Sequence, residues 1–347
     1  MSLASPRPGT ATLSQVAQRA QVSTITASRA LSKPHMVAAE TVQRVKAAAQ
    51  QLGYVPNLLA GGLKSRRSHL VTVLLPTIAG SPFLRMVQSL TDCLAAQGYQ
   101  MMLGQIGYDH GNEDSLLDAV IGRRPDGIVV AGAIRSVAGR AKLQAAGIPV
   151  VETWELHDAP IDMSVGFSHA QVGAAVAQHL WQQGRRHFGI ASADDVRGME
   201  RLHAFVRTVH DLAARAHTSV PEVVQFTMPA PSDVEHGRTA LAQLLVANPQ
   251  LDALYCNSDR LALGALAQAQ ALGLQVPAQL AIVGFGDVDF AAHTQPRLST
   301  VRVHDVEMGR IAAEYVMTCA EGREPLAQQK VDVGFSITAR ETCGLAH

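Results

Sequence analysis

Paired cysteines, long apolar runs and catalytic signatures are all missing from this chain. Its four cysteines, Cys93, Cys256, Cys319 and Cys343, are scattered, without the close spacing that holds zinc or staples a small secreted domain. No apolar run approaches the roughly 20 residues that span a bilayer. The opening MSLASPRPGTATLSQVAQ lacks the unbroken apolar stretch of a secretory leader. These absences lead us to expect a reduced, cytoplasmic protein with no membrane partner. Enzyme signatures fare no better: there is no G-x-S-x-G elbow, no H-E-x-x-H, no phosphate-cradling P-loop, and no G-x-G-x-x-G opening a helix after a strand. Gly284-Phe285-Gly286-Asp287 is too short a glycine pattern to count. His203, His210 and His217 recur every seven residues, which on a helix reads as a polar stripe rather than a set of metal ligands. We therefore expect no metal, no cofactor and no enzyme activity.

What is present is a large apolar budget with uneven charge. The 347 residues are 47% hydrophobic and 17% charged, enough to bury the cores of two or three packed units. The formal net charge is zero, but it is not evenly spread. Residues 1–69 hold nine of the 29 basic side chains and one of the 29 acids, Glu40, a formal +8 that leaves −8 for the remainder. A basic module on an acidic body is the electrostatic footprint of nucleic-acid binding; an ordinary solvated basic face is the alternative reading.

Residues 12–53 read as three helices. Leu13, Val16, Ala17 and Ala20 share a face, Ser23 is placed to cap a second helix running through Leu31, and a third spans Ala39 to Leu52 and stops at Gly53. After the turn at Tyr54–Asn57 comes a short segment, 58–67, with glycines at 61 and 62. Each costs a helix interior about 1 kcal/mol, so alone in water the segment should be mostly unfolded. From Leu70 onward short apolar runs (70–75, 127–131, 148–151, 188–191, 252–256, 280–285) alternate with amphipathic stretches (83–96, 112–123, 169–183, 199–214, 234–247, 259–272). That alternation implies βαβ units and parallel sheets covered on both faces. About 275 residues exceed one such sheet, which predicts two lobes.

The segment TLSQVAQRAQVSTITASR, Thr12–Arg29, has the layout of a helix-turn-helix. Ala17 is small enough for a second helix to cross the first closely, Val22 anchors the turn, and Ser23, Thr24, Thr26, Ser28 and Arg29 form a polar outward face. The pattern L-x-x-V-A-x-x-A-x-V-S-x-x-T-x-S-R-x-L resembles the head of the lactose-repressor (LacI/GalR) family. The likeness continues through Thr41, Val45, Gly53-Tyr54-x-Pro56-Asn57, Ala60 and Leu63. It implies an all-α helix-turn-helix domain over 1–57, a hinge over 58–69 and operator DNA as partner. By the same likeness Thr24, Ile25 and Arg29 stand at base-reading positions, Ser23, Thr26 and Asn57 at phosphate contacts, with Ser28 and Tyr54 alongside. Leu63 would be a minor-groove wedge. A plain flexible linker is the alternative for the hinge. Ala27, where relatives usually carry Val, is a packing position and leaves the assignment intact.

The resemblance covers the rest of the chain through Gly98-Tyr99, Asp126-Gly127-Ile128, Asp259-x-x-Ala262-x-Gly264, Val283-Gly284-Phe285 and Pro296-x-Leu298-Ser299-Thr300-Val301. It implies an α/β core like periplasmic sugar-binding proteins over 70–340: two Rossmann-like parallel sheets with a cleft between. The expected N-lobe is 70–165 with 296–324, the C-lobe 166–295 with 325–340, and the chain would cross near 166, 295 and 325. Effector contacts carried over are Phe83, Glu152, Arg197, Arg201, Asn257, Ser258 and Asp287. Gly286 replaces an Asp common among sugar-binding members, so a cleft with two arginines and one carboxylate fewer suits an anionic ligand. The bland alternative makes Arg197 and Arg201 surface ion pairs.

The stretches GYQMMLGQIGY (98–108), GIPVVE (147–152) and VDVGFSI (331–337) look like the gluconate-operon branch of the family. Gluconate or a ketogluconate is therefore the expected effector of a homodimeric repressor. The rivals are a sugar-binding protein or an enzyme on the same two-lobed core, which the basic head disfavours and which deletion of residues 1–65 would separate from a regulator.

Overall fold

A computed structural model of the chain describes residues 11–55, 67–78, 82–108, 111–324 and 329–344. They fall into two compact units, one before His69 and one from His69 on.

The first unit is all helical: α1 (Leu13–Arg19), α2 (Thr24–Ser32), a 3-10 turn (Pro34–Met36) and α3 (Ala39–Leu52). Thr12 caps α1 in a reciprocal box with Gln15, each satisfying the other's backbone N–H. Ser23 caps α2, its Oγ accepting from Thr26 N at 3.1 Å. Gly53 ends α3 at φ +62°, a left-handed conformation that costs glycine little. Val16, Ala17, Ala20, Ala27, Ala30, Val42, Val45, Ala48 and Ala49 make the core. Small residues at the crossings let the three helices pack closely.

The second unit holds two six-stranded sheets. The first, ordered β11-β5-β4-β3-β1-β2, joins β1 (Leu70–Leu75), β2 (Gln100–Gln105), β3 (Gly127–Ala131), β4 (Val150–Thr153), β5 (Met163–Gly166) and β11 (Lys330–Asp332), all parallel. The second, ordered β12-β10-β9-β8-β6-β7, joins β6 (Phe188–Ala193), β7 (Val223–Met228), β8 (Ala253–Cys256), β9 (Ala281–Phe285), β10 (Ser299–Val303) and β12 (Phe335–Thr338). Only β12 runs antiparallel to its neighbour in that sheet.

Strand alternation sorts the side chains. In the first sheet Val71, Val73, Leu75, Val129 and Val151 pack on α4 (Leu84–Ala96) and α11 (Asp305–Ala320). Leu74, Ile128, Val130 and Val150 pack on α5 (Glu113–Ile121) and α6 (Val137–Ala146). The second sheet lies between α7 (His169–Gln182) with α8 (Val196–Arg215), and α9 (Val234–Ala247) with α10 (Asp259–Ala271). Helices α9 and α10 cross at Gly237 and Gly264. A Cβ on Gly264 would stand 1.9 Å from the Val234 carbonyl oxygen, so no larger residue fits without parting the helices.

The expected crossings at 295 and 325 are corrected. Residues 299–303 form β10 inside the second sheet, and the chain returns to the first lobe only at His304, entering α11. The third crossing lies between β11 and β12, at Val333-Gly334. The crossing near 166 leads from β5 into α7, as expected.

Candidate effector cleft and DNA-reading helix

On α2 the apolar residues Ala27 and Ala30 face inward while Thr24, Ile25, Ser28 and Arg29 are exposed. Ile25 is 64% exposed, an uncovered aliphatic side chain beside an exposed arginine. Ser23 Oγ also meets Thr26 Oγ1 at 2.9 Å, so these two hydroxyls are partly spent on the cap. Tyr54 packs half-buried against the head core. Asn57 and Leu63 lie outside the described residues, as do residues 58–66 of the expected hinge.

In the second unit, residues just beyond the carboxyl ends of strands from both sheets line one cleft. Thr77, Phe83, Tyr108 and Trp154 come from the first lobe, and Asp195, Arg197, Arg201, Ser232, Asn257–Arg260, Phe285 and Val288 from the second, with His169 at the start of α7. In parallel α/β sheets this is the usual place for ligands. Three arginines (197, 201, 260) face two carboxyls, Asp195 and Asp259.

Arg201 is 6% exposed and held rigidly. Its Nε donates to Asn257 Oδ1 at 3.0 Å, Nη2 to the Asn257 carbonyl at 3.2 Å and Nη1 to His169 Nδ1 at 2.7 Å. The guanidinium lies over the Phe285 ring, 4.1 Å from its centroid. These bonds use three of the five N–H groups, and the Tyr255 hydroxyl lies beside the same guanidinium. Asn257 is fixed in turn, its Nδ2 donating to Gly198 O at 2.9 Å and to Ser192 Oγ. Arg197 spans the cleft: Nη1 reaches the Ala131 carbonyl at 3.5 Å, and the group lies 5.3 Å over Phe83.

His169 accepts from Arg201 at Nδ1, so its proton is on Nε2, which donates to the Trp154 carbonyl at 2.9 Å. Burial, then the charges of Arg201 and Arg197, hold its pKa well below the usual histidine value. Trp154 is 2% exposed and its indole Nε1 has no hydrogen-bond partner among the described residues. Asp259 is buried, accepting from Thr300 Oγ1 at 2.6 Å and from Val288 N at 2.9 Å. Burial raises its pKa to about 6 and Asp287 adds to that, against the two hydrogen bonds and Arg340.

Of the residues expected here, Phe83, Arg197, Arg201, Asn257 and Ser258 line the cleft. Asn257 acts as the clamp on Arg201, and Ser258 caps α10 by accepting from Leu261 N at 3.2 Å. Two expectations are corrected. Glu152 follows Val151 on β4 and so points to the opposite face, where it takes Arg140 Nη1 at 2.9 Å, Ile161 N at 2.9 Å and Ile134 N at 3.3 Å. Asp287 is neutralised by Arg302 Nε at 2.5 Å and Arg340 Nη2 at 2.6 Å behind the cleft wall. The sequence reading missed Tyr108, Trp154, His169, Asp259 as a cleft residue, and Arg260. Their signal was position, just past the end of an apolar run or at the start of the next helix.

Gly286 has φ +126°, where an L side chain is strained, and a Cβ there would lie 3.7 Å from Asp259 Oδ2. An aspartate at that point would set two carboxyls side by side. Of the histidine stripe, His203 and His210 are exposed on α8, while His217 is exposed in the turn beyond the end of that helix. Among the described residues no helix is long and apolar enough to cross a membrane.

Comparison with known proteins agrees along the chain. Residues 12–57 match the bacterial regulatory proteins of the lacI family, and 177–343 match a periplasmic binding protein-like domain. An HTH-type transcriptional regulator GntR of Pseudomonas aeruginosa is 37% identical over 335 residues, 96% of each chain. A LacI family transcriptional regulator of Silicibacter pomeroyi superimposes with a TM-score of 0.87 at 31% identity, covering 96% of this chain and 99% of that one. The transcription regulator GntR of Chromobacterium violaceum gives 0.74 at 36% identity, over 79% of this chain and 99% of that one. The chain belongs to the lacI family of bacterial regulatory proteins, as a DNA-binding transcriptional regulator and not an enzyme.

Proposed function

We propose that the cleft binds a small sugar acid, gluconate or a ketogluconate, and that this ligand controls the affinity of a homodimer for a pseudo-palindromic operator. The observation that carries the ligand assignment is Arg201. It is a buried guanidinium that lines the cleft and is immobilised by Asn257 and His169, which take three of its five N–H groups. A carboxylate accepts guanidinium donors in a charge-assisted geometry that a neutral hydroxyl does not match. With Arg197 and Arg260, Arg201 makes three cleft arginines against two carboxyls, and the chain's likeness to gluconate-operon regulators points the same way. The remaining polar lining, Tyr108, Ser232, Ser258 and Asp259, suits the hydroxyls of a polyol chain.

On the DNA side, Thr24, Ile25 and Arg29 read base edges in the major groove, with Ser28 beside them. Ser23, Thr26, Tyr54 and Asn57 set register on phosphates, and Leu63 wedges the minor groove. Arg29 is exposed near the end of α2, suited to guanine O6 and N7. A closed cleft repositions the first lobes of the dimer, and the hinges with them. Only a ligand that prefers one lobe arrangement shifts that balance.

Titration calorimetry with gluconate, 2-ketogluconate and neutral hexoses tests the ligand class. The acids should bind at least tenfold more tightly than glucose, and Arg201→Ala should remove that preference. Equal affinity for glucose and gluconate, or an unaltered preference in Arg201→Ala, would overturn the reading.

A further inference from the structure

The ring of His169 touches both lobes. We propose that His169 is a positioning residue for the effector response: it ties the guanidinium of Arg201, in the second lobe, to the backbone of Trp154, in the first, so that ligand held by Arg201 acts directly on lobe closure. The inference rests on the reading that the cleft takes the effector.

The link is built from groups with fixed roles. Arginine only donates and a carbonyl only accepts. A ring between them must accept at Nδ1, at 2.7 Å from Arg201, and donate at Nε2, at 2.9 Å to Trp154. No other protonation state satisfies both ends. An imidazolium would turn a donor toward the guanidinium, and the Nδ1–H tautomer would lose both bonds. Around the ring, Phe167 packs edge-on at 4.7 Å and Phe285 at 6.3 Å, leaving it little freedom to turn.

The receiving end is equally constrained. Trp154 has φ +71°, a left-handed conformation that costs a bulky residue about 1–3 kcal/mol and persists only where the surroundings impose it. Its N–H donates to Val165 O at 3.1 Å, and Phe83 meets its ring edge-on at 4.9 Å. This backbone conformation joins two functions in one residue. The carbonyl goes to His169, and the indole Nε1–H, of a residue that lines the cleft, is buried without a partner among the described residues. A ligand oxygen on that N–H and a carboxylate on Arg201 would complete a ring of contacts across the lobes through His169. His169 itself need not touch the ligand.

The test uses full-length protein, gluconate as probe, and the ratio of operator Kd with saturating gluconate to that without it. Saturation is verified by calorimetry for each variant, so weaker binding cannot imitate lost response. In the wild type the ratio should differ from 1 by about 5–150-fold, the usual span of allosteric coupling. In His169→Ala it should fall to within about twofold of 1. His169→Gln, whose amide offers one acceptor and one donor, should keep a ratio between the two. Nitrogen NMR of the histidine-labelled wild type should find the neutral Nε2–H tautomer at residue 169 at neutral pH. A wild-type ratio in His169→Ala, or an Nδ1–H or cationic ring at neutral pH, would overturn the proposal. Failure of wild-type protein to bind gluconate would instead refute the ligand assignment, with the tautomer still deciding whether the interlobe link exists.

Discussion

Replacing Asp259 by Asn should stabilise the protein, and only above about pH 4. The carboxyl is buried, and its pKa is raised from the usual 3.8 to about 6. The native state therefore holds this proton more tightly than the unfolded chain does. Between about pH 4 and pH 6 the native protein binds more protons than the unfolded one, so stability falls as pH rises through that window, then levels off. A difference of roughly 2 in pKa corresponds to about 3 kcal/mol of penalty above pH 6, with about half already present at pH 5. Asn removes the titration and keeps the geometry: its amide oxygen can accept from Val288 N, and its NH2 can donate to the Thr300 hydroxyl, which also accepts. Urea titrations of Asp259→Asn and wild type, compared at pH 5 and pH 8, should give stabilities that diverge by about 1.5 kcal/mol more at pH 8. The same variant removes a negative charge from the cleft and should bind gluconate more tightly at pH 8. A stability difference independent of pH, or an Asn variant less stable at pH 8, would refute the reasoning.

Arg29→Ala should lose about 1–3 kcal/mol of operator preference while retaining salt-dependent binding to unrelated DNA, measured by fluorescence anisotropy on operator and scrambled duplexes; an intact footprint would contradict it. Ser23→Ala removes the cap on α2 and should cost the head about 1 kcal/mol, visible as faster amide exchange at Thr26 and its neighbours; unchanged exchange would show that the cap is idle. Gly264→Ala drives a Cβ into the Val234 carbonyl and should lower the urea midpoint by an amount worth at least 1–3 kcal/mol; a wild-type midpoint would mean that α9 and α10 can separate freely.

Much of the fold is legible in the sequence because local signals agree with the tertiary arrangement. Ser23 before an amphipathic run, Ala17 at the crossing and Gly53 at the end of α3 specify the head without reference to the rest. The central strands β1, β3, β6, β8 and β9 are covered on both faces, so they read as apolar runs. Edge strands do not. In β2, QMMLGQ, one flank is open and polar residues stand at both ends; β7 carries Gln and Thr for the same reason. Helix α11 follows a crossing that the family resemblance placed too early, since β10 belongs to the second sheet.

The cleft was half legible. Arginines four residues apart on α8 announce themselves, and both face the cleft. Glu152 misled because its partner, Arg140, is twelve residues upstream on α6, a contact that exists only once the sheet has formed. His169 and Trp154 were silent for the opposite reason. Each is ordinary in its local sequence, and their roles arise where three segments meet: the end of β4, the start of α7 and the second turn of α8.

Operator binding by the intact protein, titrated with gluconate and in parallel with glucose at fixed salt near 0.15 M, tests the central claim most directly. The account predicts that gluconate changes operator affinity by about 5–150-fold while glucose leaves it within experimental error. An operator affinity indifferent to sugar acids, or equally responsive to the neutral hexose, would contradict it.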